Sequence, residues 1–400
     1  MANKINVFSE IGVLKTVLVH RPGEEVENLT PELLERLLFD DIPFLKVARE
    51  EHDTFTELMR QNGVEVLYVE ILAAETLDQN PDLKPEFVDQ FIKEANVKPE
   101  FVNQFKDYLT KMDNQTMINK MIGGTQKIEL GIKAGAKDYP FVADPLPNVL
   151  FQRDPFASIG HGITMHRMWS ETRNRETFFP DFVFKNHDRF KGEVPYFYER
   201  NGVPSIEGGD ILVLNKDTLI IGCSQRTTME AIKIAAKNIF IDGSYKKIIV
   251  LDLPKSRAFM HLDTVFTNID YDKFIAHPLI FDNLSEFKIY ELDADSDEMK
   301  TIDESLLDVL KKATNKDVKI IRCGGDDPVA AGREQWNDGT NVITLKPGKV
   351  IAYSRNSVTI ELLKKAGVEV LIIPSSELSR GRGGPRCMTM PLYREDLETK

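Results

Sequence analysis

Four short polar clusters hold side chains that can do chemistry: Asn148-Val-Leu-Phe-Gln-Arg-Asp-Pro155, Glu207-Gly-Gly-Asp210, Met260-His-Leu-Asp263 and Gly381-Arg-Gly-Gly-Pro-Arg-Cys-Met388. Taken singly, each has an ordinary explanation. Arg153-Asp154-Pro155 is a common turn with a surface ion pair, and the glycines of 207–210 allow close backbone approach. His261 and Asp263 fall on one face of a strand, where they suit a structural hydrogen bond or a metal. Together the clusters supply a cysteine, a histidine and several carboxylates. Cysteine is nucleophilic as the thiolate, histidine gives and takes protons near neutral pH, and paired carboxylates suit a cationic ligand. A guanidinium is the matching cation, planar and permanently charged, with N–H donors that carboxylates accept in bidentate fashion.

Such residues need a scaffold that brings them together, and the chain repeats one pattern that can do so. Residues 210–251 read as strand, turn, strand, a helix over 229–237 and a strand over 247–251; residues 341–373 follow the same order, with a helix over 359–365 ended by Gly367. Shorter relatives are 156–165, turning at 160–162, and 264–276, turning at Asp270-Tyr-Asp272. A ββαβ unit cannot bury both its faces alone. Such units pack around a common axis, where their inner strand ends converge. The four polar clusters lie just before or at the end of these units.

Toward the N-terminus, a strand over 14–20 and a turn at Arg21-Pro-Gly-Glu24 precede a helix with Leu33, Leu34, Leu37 and Leu38 on its apolar face. A second helix over 47–60 stops at Gly63 before a strand over 64–69. From 74 to 136 the chain is polar, and Pro85-Glu-Phe-Val-Asp-Gln-Phe91 recurs as Pro99-Glu-Phe-Val-Asn-Gln-Phe105. Proline suits the first helical position and glutamate the positive end of the helix dipole, so each copy reads as a helix start. Residues 74–136 are expected to form an inserted helical domain of structural rather than chemical role, with 1–73 and 137–400 making up the catalytic part.

At 400 residues the chain exceeds what one core usually supports, while 42% hydrophobic and 28% charged residues are ordinary globular values. The formal charge of −12 argues against nucleic-acid binding. Three cysteines, far apart and without a C-x-x-C pattern, fit a reducing cytosol, and the absence of a long apolar run argues against secretion and membrane insertion. A cytoplasmic location is expected.

The sequence resembles the arginine deiminases of the guanidine-modifying superfamily over nearly its whole length. The matching motifs, in the family's order, are Leu37-Leu-Phe-Asp-Asp41, Phe151-Gln-Arg-Asp-Pro-Phe156, Arg173-Asn-Arg-Glu-Thr177, Ser205-Ile-Glu-Gly-Gly-Asp210, Met260-His-Leu-Asp-Thr264, Asp338-Gly-Thr-Asn341 and Arg386-Cys-Met-Thr-Met-Pro391. The resemblance implies an α/β fold, a five-bladed pseudo-symmetric propeller of ββαβ modules with an inserted helical domain. It implies hydrolysis of L-arginine to citrulline and ammonia, with Cys387 as the nucleophile that forms an amidino-cysteine and His261 as the acid and then the base. Asp154 and Asp263 would hold the guanidinium, and Glu207 would orient His261. Arg173 and Arg226 would bind the substrate carboxylate, with Asn148 and Phe151 nearby, and Arg382 would belong to a gating loop. No cofactor or metal is implied, and a homo-oligomer is.

Attack by a thiolate splits hydrolysis of a poor electrophile into two steps and needs no metal. Carboxylates at about 5 Å each disfavour that thiolate by roughly 3 kcal/mol at an effective dielectric near 20, so Cys387 is expected to rest as the thiol until a guanidinium arrives. Arg382 and Arg386 oppose the effect only if they turn inward; solvent-facing positions are the alternative. Cys223 and Cys323 lie in apolar runs and read as core residues. His161 and His166 straddle a strand and are expected to face solvent or make cross-strand bonds. Gly381-Arg-Gly-Gly384 lacks the Walker lysine and reads as a flap rather than a phosphate loop. Two rival enzymes remain: a metal hydrolase built on His261, Asp263, Glu207 and Asp210, and a deiminase of a related guanidine such as agmatine.

Overall fold

The computed structural model describes residues 4–133, 135, 137–282 and 287–397. Among these, five sheets share one pairing pattern, in which a central strand runs antiparallel to one neighbour and parallel to a second neighbour reached through a helix. The second sheet is Phe156–Ile159, Gly162–Met165 and Tyr196–Tyr198; the third contains Ile211–Val213, Thr218–Cys223 and Lys247–Asp252. The fourth is Phe266–Asn268, Lys273–Ala276 and Lys319–Arg322, and the fifth Ile343–Lys346, Lys349–Tyr353 and Glu369–Ile373. Thr218–Cys223 shows why the central strands form where they do: all six of its residues are buried, which calls for the continuous apolar run that the sequence carries there.

The first sheet is assembled from both ends of the chain. Leu14–Val19 runs parallel to Glu65–Tyr68 across the helix Leu45–Gln61, and its antiparallel neighbour is the C-terminal strand Met390–Arg394. Cys387 therefore enters the fold three residues before a strand anchored on the N-terminal one.

The four helices Val69–Gln79, Lys84–Glu94, Pro99–Thr110 and Asn114–Gly123 occupy the stretch read as an insertion. Proline stands in the first turn of both repeat copies, and Phe87, Phe91 and Phe105 are buried. The helical stretch begins at Val69, directly off the strand, rather than at 74. Its side chains join one apolar cluster with those of the second and third sheets. A hairpin of Lys288–Asp293 and Ser296–Ile302, which the sequence pattern did not announce, lengthens the third sheet to five strands. Among the described residues, no helix is long and apolar enough to cross a membrane.

Candidate active site

The chemical residues occupy one repeated position, the turn leading into the first strand of each sheet. Asp154 precedes Phe156–Ile159, Glu207 precedes Ile211–Val213, His261 and Asp263 precede Phe266–Asn268, and Cys387 precedes Met390–Arg394. The corresponding place before Ile343–Lys346 holds Asn341, whose Oδ1 accepts the Cys387 backbone N–H at 2.8 Å. Asn341 was absent from the expected site, although its position in the repeat marks it. His261 and Asp263 do not lie on a strand: Leu262–Thr264 is a single 3-10 turn, which aims the two side chains at different partners.

His261 Nε2 lies 2.8 Å from Glu207 Oε2, and its Nδ1 is 3.8 Å from Asp154 Oδ1. Burial opposes a charge on His261, but Asp154, the Glu207 hydrogen bond and Asp210 outweigh it and raise its pKa to about 9. Glu207 is held far below the usual carboxylate range: burial works against its charge, while Arg226, His261 and Arg173 override burial. Asp210 lies behind His261, accepting from Ser224 Oγ at 2.6 Å and from the Leu262 N–H at 2.9 Å. The glycine at 209 is required by proximity, because a Cβ there would stand 2.7 Å from the imidazole Cγ.

Cys387 Sγ is 3.7 Å from Asp263 Oδ2. Burial, then Asp263, Asp154 and Asp338, push this thiol well above its ordinary value, with Arg386 opposing. Asp154 Oδ2 accepts from Arg173 at 3.1 Å and Asp263 Oδ2 from Arg386 at 2.8 Å. The other oxygen of each carboxylate, Asp154 Oδ1 and Asp263 Oδ1, is buried without a hydrogen-bond partner. Two carboxylates with one vacant oxygen apiece, beside a thiol, match a planar cation.

Asn148, Phe151, Asp154, Arg173, Arg226, His261, Arg382 and Cys387 all line one narrow pocket. Arg226 lies with its guanidinium 4.9 Å from the centre of the Trp169 ring, and its Nε and Nη1 have no hydrogen-bond partner. Arg173 is more fully engaged, with Nε and Nη2 on Glu176 and Nη1 3.5 Å from Glu207. Asn148 donates to the Leu37 carbonyl at 2.6 Å. Phe151 stacks on Phe39 and packs against the flap, where a Cβ at Gly383 would come within 2.2 Å of its ring.

The structure decides between alternatives that the sequence left open. Arg382 and Arg386 do not face solvent: Arg382 is 6% exposed and stacks 3.5 Å from the Trp336 ring centre, and Arg386 is 1% exposed between Asp263 and Glu10. His166 is fully buried behind the site, bonding Thr164 Oγ1 at 2.8 Å and the Asp154 carbonyl at 2.6 Å, and burial lowers its pKa to about 4. Cys223 and Cys323 are buried, as read, and lie outside the pocket; burial pushes the Cys323 thiol up to about 12.

The family model described as arginine deiminase matches residues 35–394. The arginine deiminase of Mycoplasma capricolum subsp. capricolum is 68% identical over 401 residues, covering 100% of this chain and 99% of its own. The chain belongs to the arginine deiminase family. Its similarity to the arginine deiminase of Clostridium perfringens is 51% identity, with 98% of both chains covered. Among solved structures, this arginine deiminase family chain matches an amidinotransferase of the saxitoxin biosynthetic pathway from Microseira wollei, at a TM-score of 0.59 and 16% identity over 99% of each chain. It also matches a dimethylarginine dimethylaminohydrolase adduct, at a TM-score of 0.54 and 15% identity, covering 94% of this chain and 99% of the other. These likenesses place the family fold among mixed α/β structures.

The metal alternative meets a local obstacle. Asp154, Glu207 and His261 offer ligand atoms within 4.8 Å of one another, a spacing that a divalent ion accepts. Two guanidinium groups, Arg173 and Arg226, already stand 3.5 and 3.8 Å from Glu207 Oε2 and would repel such an ion.

Proposed function

We propose that the chain hydrolyses the guanidinium of free L-arginine to L-citrulline and ammonia through a covalent amidino-cysteine on Cys387. Family membership over the whole chain supports the overall reaction. The single observation that carries the site assignment is the pair of vacant oxygens, Asp154 Oδ1 and Asp263 Oδ1, beside the Cys387 thiol.

In this reading the two carboxylates take the guanidinium nitrogens and present its carbon to sulfur. The cation neutralises the charges that disfavour the thiolate, so binding itself promotes loss of the thiol proton to solvent, where it ends on the released ammonia as ammonium. Sulfur attacks the carbon, and His261, held protonated by Glu207 and Asp154, gives its proton to the departing nitrogen, which leaves as ammonia. Neutral His261 then accepts a proton from water as that water attacks the amidino carbon. The C–S bond breaks, citrulline leaves, and the second proton of the water returns to sulfur. Arg226 presents to the substrate carboxylate N–H groups free of hydrogen bonds, Arg173 adds charge behind it, and Asn148, Phe151 and Arg382 complete the enclosure.

We infer for the scaffold a five-bladed α/β propeller. One pairing pattern repeated in five sheets supports it, as does completion of the first sheet by the C-terminal strand. Residues 1–73 and 137–400 make up the propeller in this reading, with 74–136 as the inserted helical domain.

The deciding experiment assays citrulline and ammonia from arginine and agmatine side by side, with wild type and Arg226→Ala. A site that pairs a buried cation with the carboxylate rejects the analogue lacking it by roughly 3–5 kcal/mol. An unchanged arginine-to-agmatine ratio of kcat/KM in the variant would remove Arg226 from this role, and equal wild-type turnover of agmatine would favour the related-guanidine reading.

A further inference from the structure

Asp263 is asked to bind a guanidinium, yet it already holds one. Arg386 Nη1 donates to Asp263 Oδ2 at 2.8 Å, and every other contact of that guanidinium is also internal. Its Nε and Nη2 each reach Glu10 at 3.1 Å, and Nη2 donates to the Ile211 carbonyl at 2.9 Å. Nε, Nη1 and Nη2 are thus all taken up by protein groups, which leaves Arg386 no donor for the substrate. Glu10 is itself tied down: its backbone N–H donates to the Val213 carbonyl at 2.7 Å, and its Oε1 accepts from the Val213 N–H at 3.3 Å. The two partners of Arg386 thus differ in freedom. The Glu10 side chain is fastened to the third sheet as well, whereas Asp263, whose backbone carbonyl accepts from Thr340 and Asn341, has a side chain with Oδ1 unpartnered and Oδ2 shared between Arg386 and the Cys387 thiol.

We propose that Glu10 and Arg386 are positioning residues for the reaction: Glu10 anchors Arg386, and Arg386 clamps Oδ2 of Asp263, leaving Oδ1 turned toward the incoming guanidinium. Two carboxylates sharing one arginine hold it from both sides, and the planar fork sets the rotation of the carboxylate it grips. Removing the clamp frees Asp263 to rotate, and both substrate binding and the contact with sulfur lose their geometry. This rests on the assignment of Asp263 as a guanidinium-binding carboxylate, and the test separates the two.

Arginine affinity is measured by calorimetry in the Cys387→Ser background, which stops turnover. Arg386→Gln and Glu10→Gln are added singly, each with and without Asp263→Asn. Residues in contact show coupling, so Arg386→Gln raises Kd about tenfold where Asp263 is intact and less than about twofold where Asp263→Asn is present. Glu10→Gln follows the same pattern with a smaller rise, and it carries the test if Arg386→Gln fails to fold. Arg386→Lys recovers part of the affinity, because an ammonium reaches one carboxylate but cannot fork to both. Equal effects with and without Asp263→Asn would mean that Arg386 and Glu10 serve folding only, and would overturn the proposal. An unchanged Kd on Asp263→Asn alone would instead remove Asp263 from guanidinium binding, and the clamp with it.

Discussion

Cys387 Sγ lies 3.7 Å from Asp263 Oδ2, so the sulfur proposed as nucleophile faces a carboxylate rather than an imidazole. His261 is engaged by Glu207 and Asp154 instead. A thiol in this setting is protected from idle oxidation, since reactivity follows the thiolate. Substrate-free Cys387 is expected to resist alkylation by a small neutral reagent until well above the ordinary thiol range near pH ~8.5. Burial and three carboxylates hold its proton against Arg386. Asp263→Asn moves the alkylation midpoint downward. A midpoint below about pH 7 in the wild type, or no shift in the variant, would mean that the enzyme makes its own thiolate.

The His261 and Glu207 pair is expected to govern the alkaline side of activity. With a pKa raised to about 9, His261 keeps its proton through neutral pH and loses it above, so kcat/KM is expected to fall as pH rises through about 9. Glu207→Gln removes one of the charges that raise it, and the falling limb moves toward neutrality. A limb that stays near 9 in the variant would assign it to another group.

Much of this site is legible in the sequence because each chemical side chain sits in a short motif at the head of a recurring strand. The repeat alone says that Asp154, Glu207, His261 and Cys387 lie at equivalent places, and the same logic points to Asn341. Arg386 is different. A guanidinium after a glycine-rich run is compatible with solvent, and only contacts across the sequence, with Glu10 376 positions away, Asp263 and the Ile211 carbonyl, make it a core group. His166 is hidden for a similar reason: its partner is the Asp154 backbone carbonyl, which no side-chain pattern records. The C-terminal strand and the added hairpin of 288–302 depend on pairing between distant segments, and local periodicity does not encode the partner of a strand.

The chain has two tryptophans, and both stand against arginines of the pocket, Trp169 under Arg226 and Trp336 under Arg382. The Trp169 backbone N–H also donates to Glu207 Oε1 at 3.0 Å, a bond that Trp169→Phe keeps. Arginine binding draws Arg226 toward the substrate carboxylate, and the intrinsic fluorescence of the Cys387→Ser enzyme should change with it. The Trp169→Phe variant should lose most of that change and lower kcat/KM by roughly twofold to fivefold, matching about 0.5–1 kcal/mol of cation–π attraction. A full signal surviving in Trp169→Phe would mean that Arg226 does not shift on binding.

Away from the pocket, His20 is buried between two carboxylates, with Nδ1 2.8 Å from Glu70 and Nε2 3.1 Å from Glu25. Burial disfavours its charge, but Glu70 and Glu25 outweigh burial and raise its pKa to about 10. A histidine whose folded pKa exceeds its unfolded value of ~6.5 stabilises the fold fully below that value. The contribution declines from there and is lost as pH rises through about 10. His20→Ala leaves Glu25 and Glu70 facing an empty site, and breaking a buried pair by removing one partner costs roughly 3–5 kcal/mol. Urea unfolding at pH 6 should show that loss, and the gap between wild type and variant should narrow steadily toward pH 10. A gap that is constant across this range would mean that His20 contributes by packing alone, with its charge playing no part in holding the N-terminal strand to the helices beyond it.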